Sequence, residues 1–191
     1  IMLSAPSCSA PCECPPQEFA PCSRRDCFPA SPLALPTGRS HGKGKKEIFD
    51  EMQMYQDLGY KACKFKIGKL KPKEDFLRVE AAKKGISEDF DLMIDINCGY
   101  TVDEALEFCE MAKDIHIRWL EEPCNWWDDI HFMSQLKKKT KIKIAAGQSE
   151  INHFGVRRMI EKNAIDVCNL DSFHAGGITE WKKAAKICNE N

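Results

Sequence analysis

The sequence has almost no net charge, and it has no long apolar run. Its 191 residues include 28 Lys and Arg against 29 Asp and Glu, which gives a net charge of −1, and its five histidines form no tract. Because the chain has no net positive charge, neither nucleic acid nor an anionic membrane surface is an expected partner. The apolar stretches are shorter than the ~20 residues that a membrane span requires, and residues 1–3 are too few for a secretory apolar segment. We therefore expect a soluble protein of the cytoplasm.

Cys-x-x-Cys pairs are also missing, although the chain contains 11 cysteines. Six of them are scattered through the sequence after residue 27, which is typical of half-buried thiols in a reducing compartment. The other five are Cys8, Cys12, Cys14, Cys22 and Cys27. Their spacing does not match the paired ligands of a zinc knuckle, so we do not predict a structural metal there.

Proline is rare after residue 36, because eight of the ten prolines occur up to that point. Residues 1–32 combine proline with Ser, Ala and Cys, and they have no helical or strand periodicity. Such a segment has too little apolar surface to form a core. We expect residues 1–32 to be a disordered or foreign segment. Residues 33–191 are expected to form the folded domain, with a short strand at residues 33–35.

From Lys46 onward, short apolar segments alternate with amphipathic helical patterns. The apolar segments predict strands at Lys61–Ile67, Leu92–Ile94, Ile117–Leu120, Ile142–Ala146 and Ile165–Leu170. Thr101 and Glu104 form the capping-box pattern at the start of one helix. The periodicity also predicts that Leu58 and Phe154 lie on the buried faces of the first and fifth helices. Strands that alternate with helices indicate a parallel sheet with right-handed crossovers.

Polar side chains lie at the carboxyl ends of the five predicted strands. They are Lys64 and Lys66, Asp95 and Asn97, Glu121, Gln148, and Asp171. Counted from Lys66, successive strand ends are 29, 26, 27 and 23 residues apart, and each interval contains one predicted helix. Barrels of the α/β class place their chemistry at this end of the strands. Polar residues at five successive strand ends are hard to explain by packing, so they indicate a functional site.

Asp95 and Glu121 follow neighbouring parallel strands, so we expect their carboxylates to lie side by side. Two unpaired carboxylates repel each other, and the pKa of one of them rises. A Mg²⁺ ion removes this conflict because it prefers oxygen ligands, and Gln148 and Asn97 offer amide oxygens at the same edge. In the alternative interpretation, neighbouring cations neutralise the two carboxylates without any metal. These cations are Lys64, Lys66 and Arg118.

Lys64 and Lys66 lie on one face of their strand, because side chains alternate with a period of two. The pKa of a lysine beside another cation is lowered, so one lysine can exchange a proton while the other holds a substrate carboxylate. The alternatives are a solvated lysine pair, or a Schiff-base lysine of an aldolase barrel. Asp171 is either a capping residue or the partner of a histidine on the neighbouring strand.

Five motifs at the strand ends carry a family resemblance. They are Lys64-Phe-Lys66-Ile-Gly68, Met93-Ile-Asp95-Ile-Asn97, Trp119-Leu-Glu121-Glu-Pro123, Ala145-Ala-Gly147-Gln148, and Asp171 followed by Gly176-Gly177-Ile-Thr179. In order and spacing they resemble the enolase superfamily, within it the mandelate racemase branch, and the acid-sugar dehydratases in particular. The resemblance implies an α/β fold of the (β/α)8 type. The barrel is expected to be incomplete, because a whole one needs ~250 residues.

The resemblance also implies the metal ligands. Asp95, Glu121 and Gln148 would bind Mg²⁺, and Asn97 would lie at the metal's edge or contact substrate. The family usually has Glu at the third ligand position, where this chain has Gln148. The amide oxygen of Gln148 can still bind a metal, and Glu150 is the alternative third ligand.

The catalytic groups follow from the same resemblance. Lys66 would be the base that removes the proton α to a carboxylate, and Lys64 would assist by contacting that carboxylate. Asp171 would partner a catalytic histidine on the seventh strand, but the chain ends at Asn191, before strands seven and eight. His174 is expected to be a substrate-side loop residue rather than a replacement for that histidine.

The implied parent activity is Mg²⁺-dependent dehydration of a sugar acid. The first alternative is a racemase or epimerase of a 2-hydroxy acid, because proton abstraction is common to both reactions. Residues 1–32 do not resemble the capping domain of the family, so we expect a truncated chain with impaired activity. A catalytically inactive fragment is the alternative of another class. The expected partner is a small sugar acid or 2-hydroxy acid, and the parent enzymes are usually homo-oligomers.

Overall fold

A computed structural model describes residues 37–38 and 42–191 of the chain. Within this part, six strands alternate with six α-helices. The strands are β1 (Thr37–Gly38), β2 (Ala62–Lys66), β3 (Asp91–Asp95), β4 (Trp119–Glu121), β5 (Ile144–Ala146) and β6 (Val167–Cys168). The helices are α1 (Lys45–Asp57), α2 (Pro72–Lys84), α3 (Val102–Met111), α4 (Asp129–Lys137), α5 (His153–Glu161) and α6 (Ile178–Asn189), with a 3-10 helix at Trp126–Asp128. The five predicted strands are confirmed; the predictions for residues 1–32 and 33–35 lie outside the described residues.

The strands form one parallel sheet in the order β1-β2-β3-β4-β5-β6. Each strand pairs with the next strand of the sequence, and a helix connects the two. Successive βα units of a barrel have this arrangement, so the predicted partial (β/α)8 fold is confirmed. Among the described residues β1 and β6 do not pair with each other, and the sheet is therefore open.

The strand register brings the polar strand ends into one row. Lys66 pairs with Asp95, Asp95 pairs with Glu121, and Glu121 pairs with Ala145. Ala145 in turn pairs with Val167 on β6. Residues in register on neighbouring strands face the same side of a sheet. The row therefore runs across the inner face of the sheet, close to its carboxyl edge.

Both faces of the sheet are covered by apolar side chains. The larger core lies between the strands and the helices and includes the fully buried Phe65, Ile94 and Leu120. On the inner face, a smaller cluster consists of Met93, Trp119 and Ala145, with Ala62 and Val167 packed against it. Parallel strands are usually buried on both faces, which explains their short continuous apolar runs.

The helix ends show where the sequence pattern was right and where it was wrong. The predicted capping box of α3 is confirmed, because Glu104 N donates to Thr101 Oγ1 at 3.2 Å and Thr101 N donates to Glu104 Oε2 at 3.1 Å. Leu58 is 66% exposed because α1 ends at Asp57, and Phe154 is 59% exposed in the first turn of α5. Both residues were expected to be buried.

Within the described residues, no helix has the length and apolar character of a membrane span.

Candidate functional site

Four charged side chains meet at the carboxyl ends of β2, β3 and β4. The Lys64 Nζ atom lies 2.8 Å from Glu121 Oε1 and 3.1 Å from Asp95 Oδ2. The Lys66 Nζ atom lies 2.9 Å from the same Asp95 oxygen and donates to Asn97 Oδ1 at 2.6 Å. Asp95 and Glu121 are almost completely buried, at 0% and 3% exposure. The structure therefore brings together five of the residues that the sequence predicted for the site.

The ion pairs match part of the metal-free interpretation. Lys64 and Lys66 neutralise Asp95 and Glu121, as that interpretation requires. Arg118 was expected to join them but does not, because its guanidinium pairs with Asp91 at the opposite end of β3. Arg118 also precedes β4, so its side chain lies at the amino edge of the sheet.

The pKa of Lys64 is raised, whereas the sequence suggested that a neighbouring cation would lower the pKa of a lysine in this pair. Burial acts to lower the pKa of Lys64, but the hydrogen bonds and charges of Glu121 and Asp95 outweigh burial. The two carboxylates lie in direct contact with the ammonium group, and this explains the direction of the shift.

Asp95 and Glu121 fit one shared cation. Their oxygens converge on a single positive group, the Lys64 ammonium, at 3.1 and 2.8 Å. Buried carboxylate oxygens that face one point form a donor set of the kind that Mg²⁺ prefers. Gln148 is half-buried and follows β5, the next strand of the sheet. The two carboxylates therefore suit a hard divalent cation, although the described residues contain no group of three His, Cys, Asp or Glu side chains that could hold one.

Glu150 does not lie with the other candidate ligands. It lines a cavity of about 260 Å³, together with Glu122, Asp129 and Met133. Its Oε2 atom is 4.0 Å from the guanidinium of Arg158. Burial raises the pKa of Glu150, Glu122 and Asp129, since the charged forms lose hydration. Glu150 therefore lies in a different pocket from the contacts of Lys64 with Asp95 and Glu121.

Asp171 and His174 lie on the loop that follows β6. Asp171 Oδ1 accepts a hydrogen bond from Phe173 N at 2.8 Å, as a capping residue does. The His174 Nδ1 atom lies 3.3 Å from the backbone oxygen of Gln148, so the loops after β5 and β6 touch. Neither side chain has a described contact with Asp95 or Glu121.

A buried network beside the site was not predicted from the sequence. Asp75 on α2 is 0% exposed and accepts hydrogen bonds from Gly68 N at 2.8 Å and Tyr100 Oη at 2.9 Å. It also pairs with Arg78 at 2.5 Å. Gly68 follows β2 and Tyr100 follows β3, so Asp75 ties together the loops that leave the two strands carrying Lys66 and Asp95. An acidic residue in the first turn of a helix is common, and this is why Asp75 gave no signal in the sequence.

Comparison with known proteins identifies the family of this chain. Residues 47–191 match the enolase C-terminal domain-like family. The chain belongs to this family. It is 29% identical over 148 residues to an arabinonate dehydratase of Saccharolobus solfataricus, covering 78% of this chain and 39% of that protein. It is 31% identical over 137 residues to a D-galactarolactone cycloisomerase of Agrobacterium fabrum, covering 72% of this chain and 36% of the relative.

The same family appears among solved structures. A mandelate racemase/muconate lactonizing enzyme from a marine actinobacterium, crystallised with magnesium, superimposes with a TM-score of 0.78. It is 38% identical in sequence, and the alignment covers 82% of this chain and 44% of that one. This enolase-family chain therefore spans about two fifths of the length of the relatives that it matches.

Proposed function

We propose that this chain provides the Lys-Lys and metal-binding part of an active site that dehydrates a sugar acid with the help of Mg²⁺. The observation that carries the proposal is the contact of Lys64 and Lys66 with the buried Asp95 and Glu121 at one strand edge. In this proposal residues 33–191 form a partial barrel domain of the enolase family, and residues 1–32 form a separate segment.

Asp95, Glu121 and Gln148 would hold the metal ion, and Asn97 would lie at its edge or contact the substrate. The ion, when bound, would offset negative charge that develops on the substrate carboxylate. The two buried carboxylates suit this task because a hard divalent cation is a better partner for them than solvent. The lysine ammonium groups would then be available to the substrate.

Lys66 would remove the proton α to the carboxylate, and Lys64 would contact that carboxylate. Such a proton is only weakly acidic, so a base must act together with nearby positive charge. Both lysines are partly buried, with side chains 21% and 27% exposed, and this limits competing hydration. Asp171 would partner a histidine supplied by a further strand, with His174 on the substrate side of the loop.

A racemase or epimerase acting at the same carbon is the second candidate. Relatives of this chain include an L-Ala-D/L-Glu epimerase of Clostridium acetobutylicum, at 30% identity over 133 residues. Both reactions begin with the same proton abstraction, and they differ in whether a hydroxyl group then leaves. A sugar acid that exchanges its α-proton but loses no water would favour this candidate.

The proposal is tested in a barrel completed with the remaining strands and capping region of a relative. Arabinonate and Mg²⁺ are supplied in D₂O, and α-proton exchange is followed by NMR. Lys66→Ala should lower the exchange rate by roughly 10²–10⁴-fold, as expected for loss of a positioned base. Lys64→Ala should also be severely impaired, and the double variant should not show the product of both losses.

Matched variants distinguish the loss of metal binding from the loss of the proposed base. Asp95→Asn with Glu121→Gln should abolish the calorimetric signal of Mn²⁺ binding, whereas Asp91→Asn at the other end of β3 should leave it unchanged. Lys46→Ala, an exposed lysine on α1, is the control for Lys66. Full exchange in Lys66→Ala, or unchanged Mn²⁺ affinity in the double carboxylate variant, would contradict the proposal.

A further inference from the structure

The side chains that follow β6 alternate between the two faces of the sheet. Val167 packs against the inner cluster of Met93, Trp119 and Ala145, whereas Cys168 and Leu170 pack on the helix side. The backbone ladder continues past the strand, because Asn169 N donates to Ala146 O at 3.2 Å. With a period of two, Asn169 shares the inner face with Val167.

Asn169 lies close to the row of site residues. Glu121 pairs with Ala145, and Ala145 pairs with Val167, so Val167 stands level with Glu121 across the sheet. Asn169 is two residues further toward the carboxyl end of its strand. Its position relative to Val167 is that of Asn97 relative to Asp95 on β3.

The Asn169 Oδ1 atom is buried, and it has no hydrogen-bond partner among the described residues. A buried acceptor that has lost its water and gained no donor reduces stability, so such atoms call for a physical explanation. Trp119 Nε1 is a second unpartnered atom on the inner face, but it lies two residues before Glu121 and thus deeper in the sheet. Of these two atoms, only Asn169 Oδ1 lies at the carboxyl edge, where a ligand would bind.

We propose that the Asn169 amide binds a hydroxyl group of the substrate and thereby selects polyhydroxy acids over simple 2-hydroxy acids. The inference rests on the proposed function. An amide offers one acceptor and two donor hydrogens, which suits a hydroxyl that can both donate and accept. It does not titrate, so its contribution is to substrate selection rather than to proton transfer. A site built around a hydrogen bond to a hydroxyl discriminates against an acid that lacks the hydroxyl.

The experiment compares arabinonate, which has several hydroxyl groups, with lactate, which has only the 2-hydroxyl. Binding of each acid to the Mg²⁺-loaded, completed barrel is measured by calorimetry. Asn169→Leu should weaken arabinonate binding by roughly tenfold, the usual effect of one lost hydrogen bond. Lactate binding should be unchanged. Asn189→Leu, at an exposed amide at the end of α6, is the matched control and should alter neither affinity.

The thermal midpoint of the ligand-free protein provides the second readout. Asn169→Leu removes the unpartnered acceptor, so the midpoint should stay level or rise by roughly 2–4 °C in a domain of this size. A fall of the midpoint together with loss of both ligands would show that Asn169 has a structural role only. If wild type binds both acids and Asn169→Leu binds arabinonate equally well, this inference alone is wrong. If wild type binds neither acid, the proposed function is wrong as well.

Discussion

Asp75 carries a buried negative charge that several groups neutralise together. Arg78 pairs with it at 2.5 Å, and Gly68 N and Tyr100 Oη donate to it at 2.8 and 2.9 Å. Asp75→Ala would remove the buried carboxylate that pairs with Arg78, and loss of one member of such a pair costs about 3–5 kcal/mol. We therefore expect urea unfolding to show a loss of that size. Asp50→Ala removes an exposed ion pair with Lys46 on α1 and should change stability little. Equal losses in the two variants would contradict this role.

Cys188 should be the thiol that reacts at the lowest pH among those described. A hydrogen bond from Cys168 lowers the pKa of Cys188, against the opposing effect of burial. Burial raises the pKa of Cys63 to about 12. A thiol with a lowered pKa is a thiolate at lower pH, and the thiolate is the form that reacts. Iodoacetamide labelling of the native protein, read by mass spectrometry, should therefore reach Cys188 before Cys63 as pH rises.

The matched variant for this prediction is Cys168→Ala. Without the hydrogen bond from Cys168, the labelling profile of Cys188 should move to higher pH. Cys124→Ala removes a buried thiol in the loop after β4 and should leave the Cys188 profile in place. If Cys168→Ala leaves the profile unchanged, the hydrogen bond does not control the reactivity of Cys188.

The residue types of the site were predictable, but several of their partners were not. Asp95 and Glu121 follow neighbouring strands, and parallel register alone brings their carboxylates together. The pairing of Lys64 with Glu121 joins residues that are two strands apart. This contact depends on the length of the lysine side chain and the curvature of the sheet. Neither can be predicted from sequence periodicity.

At the scale of elements, the start of α5 decides where Glu150 goes. An added Cβ at Gly155 would come within 1.4 Å of Glu150 Oε2 and 2.2 Å of Glu150 Cδ. The missing side chain of this helical glycine therefore leaves room for the Glu150 carboxylate beside α5. Glu150 was the alternative third ligand in the sequence because the family usually has Glu where this chain has Gln148, and this contact with α5 could not be read from the sequence.

Gly155→Ala should have opposite effects in two backgrounds. In wild type, the new methyl group collides with Glu150, and overpacking of this kind costs about 1–3 kcal/mol. In Glu150→Ala the collision is gone, and alanine should stabilise α5 by about 0.5–1 kcal/mol through its higher helix propensity. Urea unfolding of the four proteins measures both effects. The same sign in both backgrounds would show that Glu150 does not occupy this space.

Element types were easier to predict than element boundaries. The strand predicted at Ile165–Leu170 is regular at Val167–Cys168, the residues in register with Ala145 and Ala146 of β5. Phe154 satisfies the helical period of α5 yet stays exposed, with its ring 4.1 Å from that of His153. Periodicity reports which residues could face a core, whereas the packing of neighbouring elements decides which of them do so.

At the scale of the whole molecule, the order of the strands could be predicted from the sequence. Whether the sheet closes into a barrel could not. Helices between consecutive strands require right-handed crossovers, which place each strand beside the preceding one. Whether the ends of the sheet meet depends on the number and tilt of the strands. In the described residues, β1 pairs only with β2, and β6 pairs only with β5.

An open sheet exposes backbone groups at its edges, and we expect a polypeptide of these 191 residues to self-associate at micromolar concentration. The outer edge of β6 offers backbone hydrogen-bond groups that no strand of the described residues covers. Size-exclusion chromatography with light scattering should show oligomers. A chain extended by the remaining strands of a relative should lose the association that increases with concentration, because strand pairing then covers the edge. A control variant, Trp127→Ser with Phe173→Ser, removes two exposed aromatic side chains, at 71% and 87% exposure, and leaves the edge intact. Oligomers should persist in this variant; if they disappear, surface aromatics rather than the open edge cause the association.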